Sequence, residues 1–132
     1  METIKTTLAE NFTGMHGLAP EGSQFSLAEV PDQSGKVAVV TGGSEGIGYG
    51  CTHTLLSKNI SKLFIISQSV DVVQDALKAI AEELGKAAAD KVVWMQCDLS
   101  DWTKTAEVAF EITNKTDRLD ILILNAARGI MT

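Results

Sequence analysis

The chain has 132 residues, 45% of them apolar and 21% charged, which is the composition of one ordinary globular domain. Seventeen acidic side chains against eleven basic ones give a formal net charge of −6, and the only arginines are Arg118 and Arg128. We therefore expect no nucleic acid and no anionic membrane among its partners, because both require clustered basic side chains. The two cysteines and two histidines lack the spacing of a disulfide framework or a metal site.

We predict that residues 1–34 form an irregular arm and that residues 35–132 form the folded domain. Glycines and prolines interrupt the arm at short intervals, which excludes a long helix or strand there. The arm has no long apolar run and no arginine, but it contains Glu2 and Glu10, so we expect neither a secretory signal nor a mitochondrial presequence. The expected location is the cytoplasm.

From Lys36 onward, short apolar runs alternate with stretches of helical periodicity. The predicted elements, in chain order, are strand Val37–Thr41, helix Ile47–Ser57, strand Leu63–Ser67, helix Asp71–Leu84, strand Val92–Gln96, a helix capped by Ser100 or Asp101 that runs to Asn114, and strand Ile121–Leu124. Continuous apolar strands between helices indicate a parallel sheet covered on both faces. Right-handed crossovers then predict strand order 3-2-1-4, the N-terminal part of a doubly wound α/β (Rossmann) fold.

Helical periodicity also predicts which side chains face the sheet. In the first helix, Ile47, Cys51 and Leu55 recur at four-residue spacing and are expected on the buried face. In the third helix, we expect Ala106, Ala109 and Ile112 to point towards the sheet.

The loop after the first predicted strand, residues 41–48, reads TGGSEGIG. In a doubly wound sheet this loop faces the crevice in which a nucleotide binds, and a pyrophosphate there requires bare backbone N–H groups at the start of a helix. We interpret Gly42 as the turn out of the strand, Gly46 as the close approach to the pyrophosphate, and Gly48 as close packing of the helix. A P-loop is excluded because its lysine is absent.

TGGSEGIG resembles the glycine motif of the short-chain dehydrogenase/reductase family. Residues 97–101, CDLSD, are similar to the family's aspartate after the third strand, and residues 119–129, LDILILNAARG, are similar to its motif at the end of the fourth strand. In that last motif Leu124 replaces the first asparagine and Ala127 replaces the final glycine. The resemblance covers about residues 36 to 129, and within the family the sequence is most similar to fungal members.

The resemblance implies an oxidoreductase that transfers a hydride between a nicotinamide cofactor, NAD or NADP, and an alcohol or carbonyl substrate. It implies that Asp98 meets the adenine amino group. The cofactor-binding residues that it implies are Gly42, Ser44, Glu45, Gly46, Ile47, Gly48, Ser67, Asp98, Leu99, Asn125 and Ala126. Two structural alternatives stay open, in which Asp98 caps the following helix and Asn125 holds adjacent strands together.

The choice between NAD and NADP is open in the sequence. An acidic residue after the second strand binds a 2′-hydroxyl and a basic one binds a 2′-phosphate, but the corner here, Ser67 to Ser69, carries no charge. Glu45 in the glycine loop would repel a 2′-phosphate. The hydroxyls of Ser67 and Ser69 could instead bind one.

In the family, proton transfer uses a tyrosine, a lysine four residues later and a serine. A phenol with a pKa of about 10 needs such a nearby cation to act as a base. The single tyrosine, Tyr49, is followed four residues later by His53, so we expect a packing role for it. The sequence reaches Thr132 before the family's catalytic segment, and we therefore expect this chain alone to be inactive and to bind its cofactor weakly.

The fourth predicted strand is apolar and uncharged, and an uncovered edge there is expected to cause self-association. Two other functions stay open. One is a nonenzymatic dinucleotide-binding or interaction module, and the other is a methyltransferase or another nucleotide-binding Rossmann protein.

Overall fold

The computed structural model describes residues 19–128, which fall into two compact units divided between Val30 and Pro31. Most of the predicted arm, residues 1–18, lies outside the described residues, as do residues 129–132. In the first unit, Ser26 caps a short 3-10 helix, Leu27–Glu29. The Glu29 carboxylate returns the contact by accepting from the Ser26 backbone N–H at 2.6 Å, which completes a capping box.

Within residues 31–128, parallel strands alternate with helices. The elements are β1 Val37–Thr41, α1 Gly46–Ser57, β2 Lys62–Ser67, α2 Val70–Leu84, α3 Lys86–Ala89, β3 Val92–Gln96, α4 Trp102–Lys115 and β4 Ile121–Leu124. The strand order is β3-β2-β1-β4, and each pair is parallel. The predicted doubly wound α/β sheet is confirmed, with its strand order.

Side-chain caps set the start of the two longest helices. Ser69 caps α2 by accepting from the Val72 N–H at 3.4 Å. Asp101 caps α4 by accepting from the Lys104 N–H at 3.0 Å. Of the two caps that the sequence allowed for α4, the structure therefore uses Asp101.

Both faces of the sheet are packed. On one face, α1 and α2 cover a cluster that includes Val40, Leu55 and Ile80. On the other face, α4 covers Phe64 with Val108 and Ile112. The apolar strands β1 and β2 are buried along nearly their whole length, as expected for central strands of a sheet covered on both sides.

Two helix faces differ from the prediction. Ile47 is 83% exposed, whereas Leu55 is buried as predicted and α1 also buries Gly48, Thr52 and Leu56. In α4, Ala106 and Ala109 are exposed, and the buried residues are Val108 and Ile112. In α1, the side that carries Gly48 faces the core because its backbone packs closely there, and a pattern of apolar side chains does not reveal such a contact. Ala109 lines the open groove between α4 and β4.

No side chain separates α1 from the loop after β1. A Cβ at Gly48 would collide with the carbonyl oxygen of Gly42 and would lie 2.6 Å from Nδ2 of Asn125. The same Nδ2 donates to the carbonyl oxygen of Thr41 at 3.2 Å, and the Ala126 N–H donates to the Thr41 hydroxyl at 3.0 Å. This glycine junction, formed by Gly42, Gly48 and Asn125, joins α1 to the carboxyl ends of β1 and β4.

At the opposite end of the sheet, Asp120 joins the start of β4 to the start of β1 by hydrogen bonds. Its backbone N–H donates to the Val37 carbonyl at 2.9 Å, and its carboxylate accepts from the Val37 N–H at 2.8 Å. Arg118 binds the same carboxylate through Nε at 2.9 Å and Nη2 at 2.6 Å. These contacts, the one with Arg118 first, hold the pKa of Asp120 below its ordinary value.

Tyr49 packs against the first core cluster, and its buried hydroxyl has no hydrogen-bond partner among the described residues. Its ring centroid lies 6.0 Å from that of His53. Burial, and then the charge of Glu83, raise the pKa of the Tyr49 phenol above its ordinary value of 10.0. These contacts agree with the packing role expected from the sequence.

We expect Gly48→Ala to destabilise the fold by roughly 1–3 kcal/mol or to prevent folding, because the new methyl group must displace backbone at the glycine junction. Urea unfolding followed by circular dichroism measures the effect. Gly50→Ala is the matched control, because a Cβ at Gly50 in the same helix would meet nothing within 4 Å. That control should be stabilised by up to about 1 kcal/mol. Equal stabilities of the two variants would contradict the proposed contact.

Tyr49→Phe should raise the free energy of unfolding by about 1 kcal/mol, because it removes a buried hydroxyl without a partner. The raised pKa adds a dependence on pH. The folded state favours the neutral phenol. The stability that this preference gives the wild-type protein is therefore fully present below pH 10, and it is lost as the pH rises through the pKa of Tyr49 in the folded state. Parallel urea titrations of both proteins at neutral pH and above pH 10 test this. A phenylalanine variant less stable than the wild type at both pH values would refute the account.

Candidate functional site

A cleft of about 590 Å³ lies where the four strands end at their carboxyl termini. Successive strands β1, β2 and β3 extend to one side, whereas β4 lies on the other side of β1. The loops after β1 and β4 contact each other through Asn125 and Ala126, and the cleft runs from there along the ends of β2 and β3. In open α/β sheets, ligands bind in the crevice at this change of strand order.

Most residues that the sequence predicted to bind a cofactor line this cleft. They are Gly42, Ser44, Glu45, Ser67, Asp98, Leu99, Asn125 and Ala126. Gly46, Ile47 and Gly48 are not part of its wall. Gly46 and Ile47 form the exposed first turn of α1, and Gly48 is buried at the glycine junction.

The glycine loop has the backbone shape that only glycine adopts easily. Gly42 and Gly46 have φ values of 65° and 57°, in the left-handed region. A Cβ at Gly46 would meet no protein atom within 4 Å, so the space beside it is open. Gly43, which sequence reasoning missed, is fixed by Thr52, whose hydroxyl donates to its carbonyl oxygen at 2.9 Å.

The first turn of α1 has no side-chain cap. Its N-cap residue is Glu45, whose side chain makes no capping hydrogen bond, whereas Ser69 and Asp101 cap α2 and α4. Backbone N–H groups at a helix start require partners, and an anion is a suitable one. The loop that precedes this turn lines the cleft through Gly42, Ser44 and Glu45.

Asp98 lies in the cleft wall as a carboxylate. Its Oδ1 accepts from the Ser100 hydroxyl at 2.6 Å and from the Ser100 N–H at 2.9 Å. These two hydrogen bonds are the largest causes that lower the pKa of Asp98 below its ordinary value. The alternative that Asp98 caps α4 is wrong, because Asp101 makes that contact. Asn125, by contrast, does hold adjacent strands together through its bond to Thr41.

The corner after β2 is cross-linked to β3. Nε1 of Trp94 donates to the Ser67 hydroxyl at 3.1 Å and to the Ser67 carbonyl oxygen at 3.3 Å. Nε2 of Gln96 donates to the Gln68 carbonyl oxygen at 3.0 Å. These bonds hold Ser67 at the cleft.

Several residues of the cleft wall were not predicted, and all of them except Val72 lie within two positions of a predicted one. They are Ile66, Gln68, Val72, Cys97, Ser100, Ala127 and Arg128, whereas Ser69 was named as a possible phosphate ligand. Adjacency to the strand ends was the available signal. The charged side chains of the described wall are Glu45, Asp98 and Arg128.

A second, apolar groove of about 670 Å³ lies between α4 and β4. Leu122 and Leu124 are 54% and 76% exposed beside it. Residues 19–128 contain no cluster of metal-ligating side chains, and within the same range no helix has the length and apolar character to cross a membrane.

Comparison with known proteins gives a family match and a close fungal relative. A sequence profile of the short chain dehydrogenase family matches residues 36–132. Putative oxidoreductase bli-4, mitochondrial, from Neurospora crassa is 55% identical over 133 aligned positions, which cover 100% of this chain and 32% of that protein.

Solved structures share the fold. L-sorbose reductase from Gluconobacter frateurii, complexed with NADPH and L-sorbose, has a TM-score of 0.62 at 26% identity, over 74% of this chain and 35% of its own. The complex of Pseudomonas aeruginosa RhlG with NADP has a TM-score of 0.60 at 28% identity, over 74% and 35%. The chain thus spans about a third of the length of these proteins. Because the family profile covers most of the sequence and the sheet has the matching strand order, the chain belongs to the short-chain dehydrogenase/reductase family.

Proposed function

We propose that this chain is the NAD(P)-binding portion of a short-chain dehydrogenase/reductase that oxidises an alcohol or reduces a carbonyl compound. The observation that carries the proposal is the uncapped start of α1 beside the cleft, next to Gly42 and Gly46. The family relatives with bound NADPH and NADP support a dinucleotide as the ligand. When bound, the nicotinamide supplies or accepts the hydride.

The described residues fit the adenosine and diphosphate part of such a cofactor. The open space beside Gly46 leaves room for a diphosphate near the backbone N–H groups of the first turn of α1. The Asp98 carboxylate is oriented by Ser100 on Oδ1 and also interacts with the Gln68 side chain, and from the cleft wall it can accept from an adenine amino group. Leu99 and Ala126 supply apolar wall on the same cleft.

We infer that these residues bind the cofactor without supplying the proton transfer. The phenol of Tyr49 lies in the core, and its pKa is raised rather than lowered. The nearby His53 pairs with Glu83 at 2.8 Å. The single tyrosine is therefore unsuited to act as a base, and we propose that the 132-residue chain is inactive alone.

A role as an interaction module is the second candidate, and the β4 edge favours it. Among the described strands, β4 pairs only with β1, and its leucines are exposed beside the apolar groove. An uncharged apolar edge pairs readily with another chain.

The cytoplasmic location expected from the sequence stays a prediction. The Neurospora relative is named as a mitochondrial protein, so the mitochondrion is the competing proposal. Microscopy of a fluorescent fusion in a fungal host, made with the complete gene product, would distinguish the two.

We expect Gly46→Val to reduce NAD(P)+ affinity by at least about tenfold, because its side chain would occupy the open space beside α1. Gly85→Val is the matched control. Gly85 has φ 95°, its Cβ would also meet nothing within 4 Å, and it does not line the cleft. Backbone strain should cost Gly46→Val roughly 1–2 kcal/mol of stability and Gly85→Val roughly 1–3 kcal/mol, because φ 95° and ψ 159° at Gly85 suit glycine alone.

Thermal melts and calorimetry with NAD+, NADP+ and S-adenosylmethionine measure the difference. Wild type and Gly85→Val should be stabilised by a nicotinamide dinucleotide, whereas Gly46→Val should not. Full affinity in Gly46→Val would remove the glycine loop from the site. Stabilisation by S-adenosylmethionine alone would favour a methyltransferase instead.

The isolated chain should self-associate at micromolar concentrations through β4. Leu124→Lys places a charge on the exposed end of that strand and should shift the chain towards monomer in analytical ultracentrifugation. Phe110→Lys is the control, because Phe110 is 68% exposed on α4 and does not line the groove. If the wild-type chain sediments only as a monomer, the proposed self-association through β4 is wrong.

A further inference from the structure

The corner that follows β2 holds two hydroxyl groups and no carboxylate. Ser67, Gln68 and Ser69 all line the cleft. In doubly wound folds, a carboxylate at this place accepts from the ribose 2′-hydroxyl of NAD, and a basic group binds the 2′-phosphate of NADP. Because the corner itself carries neither charge, its own contribution to selectivity must come from the direction of its hydrogen bonds.

Trp94 orients the Ser67 hydroxyl. Nε1 of Trp94 donates to Oγ of Ser67 at 3.1 Å and shares its hydrogen with the Ser67 carbonyl oxygen at 3.3 Å. The indole is half-buried and packs against the first core cluster, so its position is set by the core. Because an indole N–H cannot accept, the hydroxyl hydrogen of Ser67 points away from it and is left to donate to another group.

Ser69 is placed in a similar way. Its Oγ accepts from the Val72 N–H as the cap of α2, so its hydroxyl hydrogen is also left to donate. A 2′-phosphate has only acceptor oxygens and matches two O–H donors. A 2′-hydroxyl would lack the carboxylate that normally accepts its hydrogen.

Arg128 is the one basic side chain of the described cleft wall. The same wall also carries two acidic side chains, Glu45 and Asp98, whose negative charge would repel a phosphate. Asp98 is engaged by Ser100 on one oxygen and is also near the positive charge of Arg128. Glu45 is exposed, so solvent and salt screen its repulsion of a phosphate.

We propose that this corner selects NADP(H) over NAD(H), with Trp94 as the positioning residue that directs the Ser67 hydroxyl to the 2′-phosphate. Ser69 and Arg128 complete the subsite. The proposal rests on the proposed function, because it assigns the adenosine end of the same cleft. The selectivity then depends on an indole in β3 and not on a charged residue directly after β2.

Calorimetry on the 132-residue chain tests the subsite with two small probes, adenosine 2′,5′-bisphosphate and AMP, and then with NADP+ and NAD+. We expect the 2′-phosphorylated member of each pair to bind at least about tenfold more tightly. Ser67→Ala and Trp94→Phe should reduce that ratio to near one, and Ser67→Thr should restore it. Added salt should lower it, because the contact is ionic.

Trp102→Phe is the matched control for Trp94→Phe, since Trp102 is 82% exposed and lies outside the cleft. It should leave the ratio unchanged. Circular dichroism reports whether each variant folds, and Ser67→Ala decides the case if Trp94→Phe does not fold.

Equal wild-type affinity for the two members of each pair would overturn the selectivity and leave cofactor binding intact. An unchanged ratio in folded Trp94→Phe would overturn the role of the indole. Failure of all four probes to bind folded wild type would overturn the proposed function itself, and the selectivity with it.

Discussion

Where α1 meets the loop after β1, two glycines touch through their backbones, and the position of the cleft depends on that contact. A Cβ at Gly48 would collide with Gly42, so the helix approaches the strand end more closely than side chains allow. The Asn125 amide fits against the same place and bonds to Thr41. The loops after β1 and β4 are thereby held together, and they form one part of the cleft wall.

This arrangement links stability to ligand binding. Gly48 does not line the cleft, yet its contact with Gly42 determines where the uncapped first turn of α1 lies. A side-chain cap on that turn would satisfy its N–H groups and remove the positive potential that an anion uses. The helices α2 and α4, which have Ser69 and Asp101 as caps, show the arrangement that α1 lacks.

The strands were predictable because each is a continuous apolar run, and three of them have the bounds read from the sequence. The buried face of α1 was predicted only in part, because Leu55 is buried but Gly48 and Thr52 also face the core and Ile47 is left in solvent. The glycine motif after β1 and the family resemblance at Asp98 pointed to the cleft. The bond between Trp94 and Ser67 depends on the register of β2 with β3, in which Ile65 lies opposite Trp94, and a single sequence does not specify that register.

The fastening of β4 to β1 by Asp120 has a consequence for how the chain assembles. Val37 and Asp120 are 83 residues apart, whereas β1 and β2 are joined by a single helix. Loop-closure entropy favours the nearer pairing first. During synthesis, β1 therefore exposes one row of unpaired backbone groups until β4 has left the ribosome, and such an open strand edge is prone to wrong pairing.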